Sequence, residues 1–183
     1  PQNPIKWFGK GQELTDIFLQ VKINGDVALL KIIMKLLLEK EKENPNTIFD
    51  HDFIEKNTTG YDDFIKDLET SSIDELIPQT GISLEIIKEA TDLIAQKKKI
   101  IICWAMGLTQ HKNSVDNIRE LVNLLLLKGS IGKQGAGTCP VRGHSNVQGD
   151  RTMGIWEKPK DSFLDNLENE FNFKAPRKHG YDV

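Results

Sequence analysis

The feature that most constrains the fold is an unbroken apolar run at residues 100–104, which is followed by a turn at Gly107. Continuous apolar runs of this length are typical of strands that are covered on both faces, as in parallel α/β sheets. Residues 109–111 stand where the next helix is expected to begin. A helix start at the carboxyl edge of such a sheet can bind an anion, because its N–H groups are free and its dipole is positive there.

A long apolar helix and a glycine-rich segment come next. Residues 115–128 carry apolar side chains at helical spacing, so we expect this helix to pack against the sheet. Six of the fourteen glycines then lie between Gly129 and Gly149, with Arg142 and His144 interleaved among them. Glycine allows positive φ and a close approach of the backbone to a ligand. A loop this polar is either solvated surface or a functional segment.

Helical patterns account for much of the remaining chain. Residues 16–23 alternate loosely between apolar and polar side chains and predict a short strand. Asp26 then stands at or near the N-cap of a helix that runs to about Lys42. Further helices are expected at residues 50–56, 61–69, 71–77, 84–96 and 163–171, the third of them ended by Pro78.

Length and charge limit the classes of protein to which the chain can belong. A chain of 183 residues is long enough for one domain with a core. Its net charge of −3 argues against a nucleic-acid-binding protein. Neither a signal peptide nor a membrane-spanning segment is expected from the sequence.

The two cysteines are too few to define a scaffold. Cys103 and Cys139 form no disulfide framework, and their spacing with His111 and His144 fits no common zinc motif, so no metal ligand is assigned. Cys103, within an apolar run, is expected to be a buried structural thiol. So few cysteines are compatible with a reducing compartment, and a cytoplasmic location is expected.

Three motifs resemble a known family in their order and spacing: WAMGLTQH at 104–111, NLLLLKGSIGKQGAG at 123–137 and CPVRGHSNVQGDRTMG at 139–154. Together they resemble the central portion of molybdopterin oxidoreductases of the dimethyl-sulfoxide-reductase superfamily, and most of all the formate-dehydrogenase-like alpha subunits. The resemblance implies a three-layer, Rossmann-like α/β domain with a mainly parallel sheet flanked by helices. Residues 1–155 would form the dinucleotide-binding domain, and residues 156–183 an extension towards a neighbouring domain. Because family members are several times longer and the chain starts at Pro1 rather than Met, we expect a fragment.

The resemblance also implies a cofactor, molybdenum bis(molybdopterin guanine dinucleotide), of which this chain would hold one guanine-dinucleotide arm. The positions that match cofactor-binding residues of the family are Gly25, Asp26, Met106, Gly107, Gln110, Gly143, His144 and Val147. A carboxylate at Asp26 can accept from both N1–H and the exocyclic amine of guanine. On the residues alone, Asp26 as a simple helix cap and Gln110 as a plain helix-start residue remain alternatives. The metal ligand and any iron–sulfur cysteines would lie upstream.

Arg142 and His144 are the residues expected to be catalytic. In formate dehydrogenases the arginine of a matching Val-Arg-Gly motif lies beside the metal and holds the anionic substrate. A guanidinium stays charged and pairs bidentately with a carboxylate; a surface arginine or a phosphate ligand is the alternative. Formate dehydrogenases have glutamine at the place of His144, where a histidine would relay a proton or replace the amide as a hydrogen-bonding group.

The predicted function is therefore two-electron redox of a small substrate, formate or another small oxo-acid by resemblance, carried out by the full-length protein. The isolated fragment is expected to be inactive. The alternative is a non-catalytic nucleotide- or anion-binding module that kept the fold and lost the redox centre. A stand-alone Rossmann dehydrogenase is disfavoured, because no Gly-x-Gly-x-x-Gly opens a helix directly after a strand.

Overall fold

The computed structural model describes residues 14–144 and 146–181, which are mostly helical and include two short strands. The strands β1 and β2 pair in parallel, so the predicted α/β class with a parallel sheet is confirmed. The elements in chain order are α1 (Asp26–Glu43), α2 (His51–Asn57), α3 (Tyr61–Thr70), α4 (Ile73–Thr80), α5 (Leu84–Gln96), β1 (Ile101–Trp104), α6 (Met106–Thr109), α7 (Ser114–Leu127), β2 (Gly137–Pro140), α8 (Val147–Thr152) and α9 (Asp161–Phe171).

The chain divides into two compact units, Pro1–Val141 and Arg142–Val183. The first unit holds α1 to α7 and both strands, and the second holds α8 and α9. In the second unit Leu164 of α9 and Ala175 are buried, and the Arg177 guanidinium pairs with three carboxylates of α9. The division at residues 155–156 that was expected from the resemblance stays a prediction.

Helix α1 is the centre of the first unit. It is apolar around most of its circumference, and such a helix is stable only when neighbouring elements cover it. Ile32, Met34 and Leu37 are fully buried. Helices α3, α4, α5 and α7 all pack against α1. The main neighbours of the long helix α7 are α1, α2 and α6. This corrects the expectation that α7 packs against the sheet.

A buried carboxylate at the end of α1 holds the connection to α2. Glu41 is 6% exposed, and it accepts hydrogen bonds from the backbone N–H of Asn46 at 2.6 Å, Ile48 at 2.8 Å and Phe49 at 3.1 Å. The Nε2 atom of His51 lies 2.7 Å from the Oε1 atom of Glu41. Burial alone would raise the pKa of Glu41, but the hydrogen bonds from His51 and the three amides outweigh it and leave the pKa below its usual range.

The Glu41→Gln variant should lose about 2 kcal/mol of unfolding free energy at pH 7, because hydrogen bonds to a charged group contribute about 1.5–3 kcal/mol. A carboxyl whose folded pKa is depressed stabilises the protein above its unfolded pKa of about 4.3. That contribution disappears as the pH falls through the lower, folded pKa. The gap between wild type and variant should therefore narrow as the pH falls below about 4.3.

Urea unfolding of both proteins across that pH range measures this gap. Glu43→Gln is the matched control, since Glu43 is an exposed residue of the same last turn of α1. The control should stay within about 0.5 kcal/mol of wild type. A Glu41→Gln protein as stable as wild type at pH 7 would contradict a structural role for this carboxylate.

Two local expectations are wrong, and a third, on the residue that caps α1, is refined. Residues 16–23 form bends and a turn rather than a strand, because the Val21 N–H donates to the carbonyl of Leu19 and the Lys22 N–H to that of Thr80. Helix α4 runs through Pro78, whose fixed φ is compatible with a helix. The N-cap of α1 is Gly25, and no side chain caps this helix, so Asp26 is not its cap.

The described part of the chain covers just one face of strand β1. Ile102 and Trp104 are half-buried and pack against the core, whereas Ile101 is 56% exposed and Cys103 is exposed. Side chains alternate between the two faces of a strand, so an unbroken apolar run puts apolar groups on both faces whether or not both are covered. The expectation of a strand buried on both sides is therefore wrong for these residues.

Candidate cofactor and substrate site

The parallel pair β1–β2 determines where the candidate segments leave the sheet. The register runs from Ile101 opposite Gly137 to Trp104 opposite Pro140. Beyond it, the Val141 N–H donates to the Trp104 carbonyl at 2.7 Å. Because the strands are parallel, their carboxyl ends share one edge of the sheet, which is the edge where α/β proteins bind ligands. The chain leaves this edge as residues 105–111 after β1 and as Val141 after β2.

The segment after β1 is a single helical turn rather than the start of the long helix. Helix α6 begins at Met106, and the Gln110 N–H donates to the Met106 carbonyl at 3.0 Å. The ring Nε2 of His111 lies 2.9 Å from the Gly107 carbonyl oxygen. The long helix α7 begins only at Ser114. Gln110 therefore ends a short helix, which corrects the expectation that residues 109–111 begin the long one.

Met106, Gly107 and Gln110 lie together and open to solvent on this turn. Met106 is 59% exposed, and the Gln110 amide nitrogen lies 3.9 Å from its sulfur. A Cβ added at Gly107 would meet nothing within 4 Å, and its φ is not in the left-handed region. The fold itself therefore does not require glycine at position 107. An open space above the backbone is what a closely approaching ligand needs.

The glycine-rich loop after α7 is held by Asp50, a residue that the sequence did not single out as functional. Asp50 Oδ2 accepts from the Lys133 ammonium at 2.6 Å, and Oδ1 accepts from the Phe53 N–H at 3.0 Å. The Asp50 N–H donates to the Leu127 carbonyl at 2.9 Å. The Lys133 hydrogen bond, with that of Phe53, holds the pKa of Asp50 below its usual range. One carboxylate thus caps α2 and anchors the loop that leads into β2.

Gly129 is packed directly against this anchor. Its φ is +54°, and an added Cβ would lie 2.5 Å from Asp50 Oδ2. Gly132, in the same loop, has a φ of +72°, but an added Cβ there would meet nothing within 4 Å. A substitution would therefore strain the backbone at both glycines, but only at Gly129 would the new side chain also collide with Asp50.

Gly132→Ala should destabilise the protein by about 1–2 kcal/mol, the cost of a left-handed conformation with a side chain. Gly129→Ala should add roughly 1–3 kcal/mol to that, because Asp50 must move and release Lys133. Urea unfolding of the two variants measures the difference in unfolding free energy. Equal destabilisation by both would contradict the Asp50 anchor.

Arg142, Gly143 and His144 follow β2 and open the second unit, where all three are exposed. Arg119, Arg151 and Arg177 pair with carboxylates, whereas no carboxylate pairs with Arg142 in residues 14–144 and 146–181. Among the described residues, an added Cβ at Gly143 would meet nothing within 4 Å. Arg142 is thus a charged group with no ion-pair partner in the described chain.

The next turn of the second unit makes a few side-chain contacts, although none of its residues is buried. Asn146 is the N-cap residue of α8, and its side chain lies over Gly149, where an added Cβ would be 2.4 Å from the amide. Val147, the first residue of α8, is half-buried. The Arg151 guanidinium lies 5.2 Å from the Trp156 ring centroid and 4.0 Å from the Glu157 carboxylate. Arg151 therefore has both an aromatic and a carboxylate partner, whereas Arg142 has no carboxylate partner in the described chain.

Gly25 and Asp26 lie at the start of α1. Gly25 is buried, and an added Cβ would lie 2.6 Å from the Gln79 carbonyl oxygen, so close packing requires glycine there. Asp26 is half-buried in the first turn of an 18-residue helix, where the dipole favours a carboxylate. The expected cofactor residues thus occupy three places: the start of α1, the turn after β1, and the start of the second unit.

Comparisons with known proteins extend over the whole chain. No family model matches it. It is 44% identical over 183 residues to an uncharacterized oxidoreductase of Mycobacterium tuberculosis, covering all of this chain and 24% of that protein. It is 33% identical over 141 residues to formate dehydrogenase H of Escherichia coli, covering 77% of this chain and 19% of that protein. The chain is homologous to part of the molybdopterin oxidoreductases.

A solved structure supports the fold of this molybdopterin oxidoreductase segment. Acetylene hydratase from Pelobacter acetylenicus matches it with a TM-score of 0.59 and 22% sequence identity. The match covers 67% of this chain and 16% of that protein. The predicted family resemblance is confirmed, and the chain spans about a quarter of the length of the curated relatives that match it over its full length.

Two features of the described residues concern membranes and metal ions. None of the helices in residues 14–144 and 146–181 is long and apolar enough to cross a membrane. The same residues contain no group of three or more His, Cys, Asp or Glu side chains placed to hold a metal ion.

Proposed function

We propose that this chain holds one guanine-dinucleotide arm of a molybdenum bis(molybdopterin guanine dinucleotide) cofactor. The observation that carries the proposal is the open turn after β1, in a chain homologous to molybdopterin oxidoreductases. Met106, Gly107 and Gln110 match the family positions for this role and are exposed together at the carboxyl edge of a parallel sheet. Gln110 offers a donor and an acceptor to a pterin edge, and the space above Gly107 is free.

We propose that Asp26 recognises the guanine end of that arm. Gly25 is the N-cap of α1 and the Asp26 side chain makes no cap hydrogen bond, so its carboxylate is available to a ligand. The carboxylate is half-buried, and its two oxygens can accept from N1–H and the exocyclic amine of guanine. Adenine does not offer this donor pair.

Asp26→Asn should lower the guanylated pterin retained per protein by about tenfold, because an amide cannot accept two such bonds as an anion does. Oxidative release and pterin fluorescence of the purified protein measure the retention. Asp74→Asn is the control, since Asp74 is an exposed carboxylate in the first turn of α4. Equal retention by Asp26→Asn and wild type would remove Asp26 from the cofactor site.

We propose further that the longer protein carries out two-electron redox of formate or another small oxo-acid, and that Arg142 and His144 act at the substrate. The cofactor, when bound, supplies the electron transfer. Arg142 is exposed and has no ion-pair partner in the described chain, so it is available to pair bidentately with a carboxylate. Gly143 leaves open space beside it, and Val147 begins the helix that follows. His144 is exposed next to it, where an imidazole can relay a proton or take the place of an amide as a hydrogen-bonding group.

Arg142→Lys should keep the metal and lower kcat/KM for the anionic substrate by about 100-fold, since a lysine cannot form the bidentate pair. Turnover of formate with a dye acceptor, together with molybdenum content, separates substrate binding from cofactor loss. Arg119→Lys, at an exposed arginine paired with Asp116, should change neither quantity. Full activity of Arg142→Lys would contradict its role as a substrate clamp.

We further propose a domain division, ligands from outside this chain and a location for the longer protein. We infer that residues 1–155 form the cofactor-binding domain and residues 156–183 an extension towards a neighbouring domain. A metal ligand and an iron–sulfur cluster would come from other parts of the longer protein. A cytoplasmic location agrees with the low cysteine content.

A further inference from the structure

The two cysteines of the chain face each other across the parallel sheet. Cys103 of β1 and Cys139 of β2 are paired in the strand register. Neighbouring strands lie about 4.8 Å apart. A disulfide requires its Cα atoms to be roughly 4.4–6.8 Å apart, so opposed residues satisfy this condition. The sequence separation of these residues gives no sign of the pairing, which exists only because β2 returns beside β1.

Both thiols lie on an open face of the sheet. Ile101 and Cys103 share the exposed face of β1, and Cys139 is exposed beside them. A hydrogen bond with the Cys139 thiol is the main cause that raises the pKa of the Cys103 thiol. The strand register places the two thiols beside each other, and the described part of the chain leaves both accessible to a dissolved reagent.

We propose that Cys103 and Cys139 are a reversible thiol redox site that forms a disulfide by exchange with a small-molecule disulfide such as oxidised glutathione. The thiolate of one cysteine attacks a sulfur of oxidised glutathione, which forms a mixed disulfide and releases one glutathione thiolate. The second cysteine thiolate then attacks the cysteine sulfur of the mixed disulfide and releases the second. The two protons of the cysteines pass to the released thiolates. The cysteine pair is oxidised by two electrons, and glutathione disulfide is reduced to two glutathione molecules.

The disulfide would join the two strands that lead into the turn at Met106 and into Arg142. It would fix the register of β1 on β2 covalently, whereas the reduced pair is held by four residues of backbone pairing. This site is independent of the proposed cofactor function, because its assignment uses only the strand register and the exposure of the thiols.

Redox titration with peptide mapping tests the site. The purified full-length protein is equilibrated with a series of ratios of oxidised to reduced glutathione, alkylated and cut with trypsin. Cleavage after lysine and arginine puts Cys103 in a peptide of residues 100–112 and Cys139 in one of residues 134–142. We expect the linked peptide pair, lighter than the two free peptides by two hydrogen atoms, to increase with the proportion of oxidised glutathione. Its fraction should not change on dilution of the protein and should return to zero with excess reduced glutathione.

The Cys139→Ser variant is the matched control. It should give no linked peptide and only a mixed disulfide of Cys103 with glutathione. Three results would overturn the proposal: thiols that native alkylation does not reach, thiols that stay reduced in excess oxidised glutathione, or separate glutathionylation of each cysteine without a linked peptide.

Discussion

Four residues of parallel pairing between β1 and β2 are the constraint on which the candidate site depends. Parallel strands need a crossover connection, and here α6, α7 and the glycine-rich loop supply it. Helix α7 packs on α1, so the apolar centre of the first unit determines where the crossover lies. Asp50 then holds the start of the glycine-rich loop through Lys133. These contacts keep the two strands in register. The register in turn determines where the turn at Met106 and the residues after Val141 leave the sheet.

Helix periodicity made most of the first unit predictable from sequence, since α3, α4, α5 and α7 each pack against α1. The pairing of β2 was not predictable, because Gly137–Pro140 has no apolar run and its partner lies far back in the chain. The same holds for Asp50 and Lys133, which are 83 residues apart. Sequence also cannot tell which face of an apolar strand is covered, and for that reason Cys103 was expected to be buried.

Glycines show most clearly what structure adds to the motifs. The fold requires Gly25, where an added Cβ would lie 2.6 Å from a backbone carbonyl oxygen, and Gly129, where it would lie 2.5 Å from Asp50 at a φ of +54°. Gly107 and Gly143 have open space and ordinary backbone angles, so the fold does not explain them. A motif treats all glycines alike, whereas the structure separates those that the fold requires from these two. The assignment of Arg142 and His144, on either side of Gly143, to the substrate site stays a prediction.

The most direct test of the account is elemental analysis of the full-length protein that contains this chain, purified from a host that makes the cofactor, with pterin analysis after oxidative release. A molybdopterin oxidoreductase segment that holds a guanine-dinucleotide arm predicts near-stoichiometric molybdenum together with a guanylated pterin. A folded protein with neither metal nor pterin would contradict the account and favour an anion-binding module that has lost its redox centre.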